Sequence, residues 1–175
     1  PLVFLLISVA GGFTTAGSIL VAQYTGAESE GSAGKVAGQT LSFVSLLGMG
    51  LGVFGFFVTR DLLALLPTQQ ETAEQIVPLA AGYMEVILLG APFMFGFFIF
   101  SALMRGYGDT KTPMRVMIVS VVLNVVIDPI MIFGVGPVPE LGIQGAALAT
   151  IFSRGVATAI GLHYLFRTDA GPDVQ

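Results

Sequence analysis

Long apolar runs separated by short polar intervals set the pattern of this chain. Five runs approach or exceed the roughly 20 residues that carry a helix across a bilayer. They are Pro1–Tyr24, Val36–Val58, Ile76–Met104, Pro113–Phe133 and Gly142–Phe166. The first two hold no charged residue. The third carries Glu85 and an internal Pro92, the fourth Asn124 and Asp128, the fifth Arg154 and His163. The intervals are 25–35, 59–75, 105–112 and 134–141, followed by a polar tail. The pattern predicts an all-α polytopic membrane protein with five transmembrane helices. Thr112-Pro113 reads as N-cap and first turn of the fourth span. Gly134, Gly136, Pro137 and Pro139 read as the tight turn after it. Gly48 with Gly52, and Gly145 with Ala149, put small residues one turn apart, a spacing that lets helix backbones approach closely.

Composition agrees. The 175 residues are 54% hydrophobic and 10% charged, with a mean hydropathy of +0.88. Soluble domains carry about 25% charged residues, so this chain has too little polar surface to cover a globule. Cysteine is absent, which excludes disulfides and thiolate metal sites. The net charge of −4 is spread over the intervals, and no basic stripe offers itself to nucleic acid. Lys35, Arg105, Lys111, Arg115 and Arg167 fall on one side of the alternating topology, and Arg60 stands alone on the other. The positive-inside rule then places 25–35, 105–112 and the tail in the cytoplasm. The opening run lacks a basic n-region and an A-x-A cleavage site, so it reads as a helix cut at its start, not a signal peptide. The chain is accordingly expected to be a fragment, with 167–175 the start of a cytoplasmic linker.

The candidate chemistry lies between Asn124 and Arg154. A carboxylate inside a membrane span is costly and marks a functional site by default. Asn124 precedes Asp128 by four residues and shares its helix face. Pro129 lacks an N–H, which frees the carbonyl of Val125 and makes a helix bend expected there. Counting from the span ends, Asp128 sits roughly 23 Å and Thr150 roughly 24 Å above the inner surface. On that count the two are level, and Arg154 is level with Asn124. Carboxylate, amide, hydroxyl and freed carbonyl oxygens suit a hard cation such as sodium; equally, Asp128 itself can take a proton. A third reading pairs Asp128 with Arg154 as plain helix glue, and a fourth makes it an interfacial, solvated Asp. Arg154 is therefore a modulator of Asp128 in one reading and its partner in another.

Other residues carry less. Glu85 is expected to snorkel or face water, His163 to sit at the interface, and the Phe and Met cluster of Phe93–Phe100 to pack or face lipid, with an apolar substrate cavity as the alternative. Residues Arg105–Pro113 are Gly-rich, but no strand precedes them and Lys111 does not follow the P-loop pattern, so they do not bind phosphate as a P-loop. No nucleophile–base set appears, so an enzyme is not expected.

The run Leu103-Met104-Arg105-Gly106-Tyr107-Gly108-Asp109-Thr110-Lys111-Thr112-Pro113-Met114 resembles the LRGxGDTKTP signature of the multidrug and toxic compound extrusion (MATE) transporters. The likeness continues through Asn124, Asp128-Pro129, Ile132-Phe133-Gly134, Gly145-Ala146-Ala147 and Ala149-Thr150. Earlier, Leu20-Val21-Ala22-Gln23-Tyr24-Thr25-Gly26-Ala27 resembles the end of the family's second helix. The resemblance implies twelve helices in two six-helix lobes, with this chain, residues 1–166, as helices two to six of the N-terminal lobe. It implies a multi-pass plasma-membrane antiporter that exports organic cations and other amphipathic xenobiotics in exchange for sodium or protons, with no cofactor. It also implies a cation site at Asn124, Asp128 and Thr150, with Arg105, Gly106, Gly108, Asp109, Lys111 and Pro113 as a cytoplasmic loop motif. An Asp on helix one and the whole C-terminal lobe would lie outside the chain. The alternatives are a lipid-linked saccharide flippase of the same superfamily and a non-transporting membrane scaffold.

Overall fold

The computed structural model describes residues 2–64 and 70–167. The expected cytoplasmic linker from 168 and the centre of the 59–75 interval lie outside these residues. The described residues form six helices: α1 (Leu2–Gly26), α2 (Glu30–Ala64), α3 (Gln70–Leu89), α4 (Ala91–Tyr107), α5 (Lys111–Phe133) and α6 (Gly142–Arg167). α2, α5 and α6 are long and apolar enough to cross a membrane, and α3 with α4 makes a fourth, bent span. α1 is 25 residues long, uncharged and apolar along its length.

The single helix expected over Ile76–Met104 is two helices meeting at Gly90 with a 50° bend. Pro92 causes it: without an N–H it leaves the carbonyl of Leu88 unpaired, and its ring clashes with the preceding turn. The freed carbonyl lies against α2, where a Cβ built on Gly52 would come within 2.5 Å of it. α2 runs longer than the expected 36–58 at both ends. Glu28 turns the chain at φ 54°, and the Ser29 carbonyl then accepts from the N–H groups of Ser32 and Ala33.

α4 is the hub. It packs on α1 and α2 on one side and α6 on the other, and α3 bridges α2 and α6. Ile99, Phe100, Leu103 and Met104 of α4 are fully buried, with Val21 and Val44 packed into the same core. The Phe and Met cluster thus divides: Phe95, Phe97 and Phe100 are core, and Phe93 is exposed.

Glycines set the helix spacing. Gly48 faces the Phe95 ring, Gly106 the Ser18 backbone, and Gly161 the Phe100 ring. The broadest contact is α5 on α6. There Gly145 meets the Met131 carbonyl, which an added Cβ would approach to 2.4 Å. Ser120 donates a hydrogen bond of 3.1 Å to the Ser153 carbonyl further down the same seam.

Gly145→Ala is expected to destabilise the full-length protein by about 1–3 kcal/mol through overpacking against backbone, seen as a lower Tm in detergent. Gly50 is exposed on α2 with nothing within 4 Å of an added Cβ. Gly50→Ala is expected to leave Tm unchanged or raise it slightly, by the helix propensity gained.

Candidate functional site

The α5–α6 seam fixes which polar residues share a side. Met131 lies opposite Gly145, and Ser120 opposite Ser153. In that antiparallel register Thr150 is level with Leu123 to Val126, somewhat below Asp128. Arg154 lies near the level of Ser120, roughly 10 Å below Asp128 along the axis. Counting span ends puts the two at equal depth; the seam contacts set Thr150 two to five residues lower than Asp128. With 3.6 residues per turn, Asn124 and Asp128 rotate to the same side of the seam as Thr150. Arg154 rotates further, to the border between that side and α4.

Asn124 Nδ2 donates to Asp128 Oδ1 at 3.2 Å. That bond orients the carboxylate, and among the described residues no donor reaches the amide oxygen or the second carboxylate oxygen. Thr150 Oγ1 donates to the Ala146 carbonyl at 2.9 Å, so its lone pairs remain free. All three residues are half-buried. α5 runs unbroken through Pro129 to Phe133. The expected bend is therefore not a break, and its remaining consequence is the unpaired Val125 carbonyl. Among the described residues no group of three His, Cys, Asp or Glu side chains converges, so the oxygen donors here are largely neutral.

The pairing of Asp128 with Arg154 is not formed. The guanidinium instead lies over the Phe97 ring, 5.2 Å from its centroid. One of its terminal nitrogens is buried with no hydrogen-bond partner. Glu85 is not free in water either: it accepts from Arg60 Nε at 2.8 Å, with its side chain 20% exposed. Arg60 belongs to α2, not to a loop, and the two helices are held together by this pair. His163 is exposed and lies edge-on to Tyr164. An open apolar groove of about 370 Å³ is lined by Phe93, Met131, Leu148, Ile151, Phe152 and Gly155. By helical rotation it lies on the face of α6 opposite to Thr150, so it does not adjoin the polar set.

The Arg105–Pro113 motif is a helix stop followed by a helix start. Gly108 adopts φ 103°, and the Gly108 and Asp109 N–H groups bond the Arg105 and Met104 carbonyls, closing α4. Asp109 Oδ1 then accepts from the Lys111 N–H at 2.8 Å and the Thr112 N–H at 3.0 Å, opening α5. Asp109 therefore caps the helix, in place of the expected Thr112, because an ionised carboxylate two residues ahead captures both orphan donors. A hydrogen bond with the Thr112 side chain, followed by the backbone N–H bonds of Thr112 and Lys111, holds its carboxyl below the usual 3.8. Arg105 turns back to the Ser101 hydroxyl. Pro113 is buried in the first turn of α5, where no N–H is needed.

Comparison with known proteins follows from this geometry. The model of the MatE family matches residues 1–130. The chain belongs to the MatE family. It is 40% identical over 172 residues to the probable multidrug resistance protein YoeA of Bacillus subtilis, a match covering 98% of this chain and 36% of that protein. It is 30% identical over 165 residues to a FAD transporter of Shewanella oneidensis, covering 94% of this chain and 36% of that protein. A solved inward-facing multidrug resistance MATE family transporter superposes with a TM-score of 0.86 at 28% identity, over 97% of this chain and 37% of the other. This MatE chain thus spans a little over a third of the length of those relatives. The expected all-helical, multi-pass membrane architecture of a transporter family is the one observed.

Sequence reading passed over Ser120 and Ser153. Ser120, Asn124 and Asp128 recur every fourth residue, and that spacing was the available signal for a polar stripe down one face of α5.

Asp109→Ala is expected to cost about 1 kcal/mol through loss of the cap, measured as a lower Tm of the full-length protein. Because its folded carboxyl is held below the unfolded value, the contribution is full above about pH 4 and fades as pH falls through the lower folded value. A pH series of the Tm difference between wild type and Asp109→Ala checks this. It should narrow only in acid.

Proposed function

We propose that this chain is part of the N-terminal lobe of a secondary antiporter that expels amphipathic organic cations, with Asp128 as the coupling residue. The observation that carries this reading is the Asn124–Asp128 bond within a membrane helix, beside a hydroxyl whose lone pairs are free. Similarity to proteins named as multidrug resistance and export proteins supports the efflux activity. The coupling ion is sodium or a proton. For sodium, Asp128, Asn124 and Thr150 would supply one charged and two neutral oxygens, a donor set suited to a hard monovalent cation. For a proton, Asp128 would be the acceptor, and Asn124 would hold it in place in either state. Ion and substrate then exclude each other at one carboxylate, and a ligand shifts the lobe only by its differential affinity for two conformations.

The orientation belongs to the same reading. The loop at Arg105–Thr112, residues 25–35 and the tail face the cytoplasm of the plasma membrane. The first helix and C-terminal lobe would complete the path.

The test uses the full-length transporter in liposomes and a fluorescent organic cation, under an imposed sodium gradient and then a proton gradient. Wild type should move the dye under one of the two, which identifies the ion. Asp128→Asn should lower that rate by at least about tenfold, the effect of deleting a charge-assisted contact. Unchanged transport in Asp128→Asn would reduce Asp128 to a helix-packing residue, as a scaffold reading requires.

A further inference from the structure

Arg154 is a charged group in a membrane span that the coupling reading leaves unused. Membrane-embedded arginines pair with an acid or backbone carbonyl, or they mark a transport path. This one does neither of the first two. Its guanidinium is stacked at 5.2 Å over the Phe97 ring, and one terminal nitrogen is enclosed without a hydrogen-bond partner. Among the described residues the only ion pair is Arg60–Glu85, so no described carboxylate neutralises it. A buried donor left unmade is costly, and the residue as a whole is half-buried, not sealed in the core.

Its position is informative. Arg154 lies one turn from Thr150 on the same strip of α6. It lies at the border between α4 and the side of the seam that carries Asn124 and Asp128, roughly 10 Å further down. Phe97 is 3% exposed and locked in the core, giving the guanidinium a rigid aromatic bed. Thr158 anchors α6 to the same helix by donating to the Phe93 carbonyl at 2.6 Å. The site therefore presents a carboxylate and a guanidinium, separated along one polar side by about the length of a small amphiphile. The planar fork of arginine matches carboxylate and phosphate oxygens.

We infer that Arg154 is the specificity-determining residue for dipolar substrates: it takes a carboxylate or phosphate of the transported molecule while Asp128 takes its cationic end. This rests on the transport reading above and names its substrate class. Substrates with both charges would gain over purely cationic ones, and the gain would come from Arg154.

The test pairs two rhodamine dyes of one scaffold, a cationic ethyl ester and its zwitterionic free acid. Equilibrium binding to purified full-length protein is followed by fluorescence polarisation in wild type, Arg154→Gln and Arg154→Lys. The expected result is a Kd for the free acid raised about tenfold or more by Arg154→Gln, a smaller rise for Arg154→Lys, and no change for the ester. Equal weakening of both dyes would mean that Arg154 serves packing or an acid elsewhere in the full-length protein, and overturns the inference. So does unchanged binding of the free acid. Arg154→Lys keeps the charge in place should Arg154→Gln fail to fold. Dye movement in liposomes is scored separately: if the ester binds but never crosses, the transport reading fails while the binding result on Arg154 stands.

Discussion

Close backbone approach at small residues is the constraint on which this lobe depends. Within lipid the hydrophobic effect gives helices little reason to associate, and packing has to supply it. Gly145 against the Met131 carbonyl is the tightest such contact on the α5–α6 seam. It fixes the register of the two helices, and the register fixes the site. It sets Thr150 beside Asn124 and keeps Arg154 about two turns from Asp128. A seam slipped by one turn would bring Arg154 closer to the carboxylate and favour an internal ion pair over a binding site.

The prolines show how tertiary context decides a local rule. Pro92 and Pro129 remove the same kind of hydrogen bond. At Pro92 the chain breaks and bends by 50°, with Gly90 beside it and Gly52 across from it making room for the freed carbonyl. At Pro129 the helix continues for another turn to Phe133, held by the long seam with α6. One proline shapes the lobe, and the other leaves a carbonyl available next to a carboxylate.

The charges within the spans are handled in three ways. Glu85 is neutralised by Arg60 across the α2–α3 pair. Asp128 is oriented by a neutral amide and keeps an oxygen free. Arg154 is stabilised by an aromatic face and keeps a donor unmade. The first is structural and complete. The other two are incomplete in the way a site for external ligands must be.

Much was legible from the residues in order. Span-length apolar runs separated by polar intervals determined an all-helical membrane protein, because backbone polar groups in lipid are satisfied within a helix. The i, i+4 spacing placed Asn124 beside Asp128, and Gly134 ended α5 where it was expected. What tertiary structure decided was everything that depends on a neighbour. The break at Gly90 needed the room that Gly52 gives. The partners of Glu85 and Arg154 lie 25 and 57 residues away in sequence, on other helices. Relative helix depth cannot be counted from span ends, since the contact that sets it is between a glycine and a carbonyl on a different helix. Sequence periodicity is a property of one helix; register, and therefore which charges meet, is a property of two.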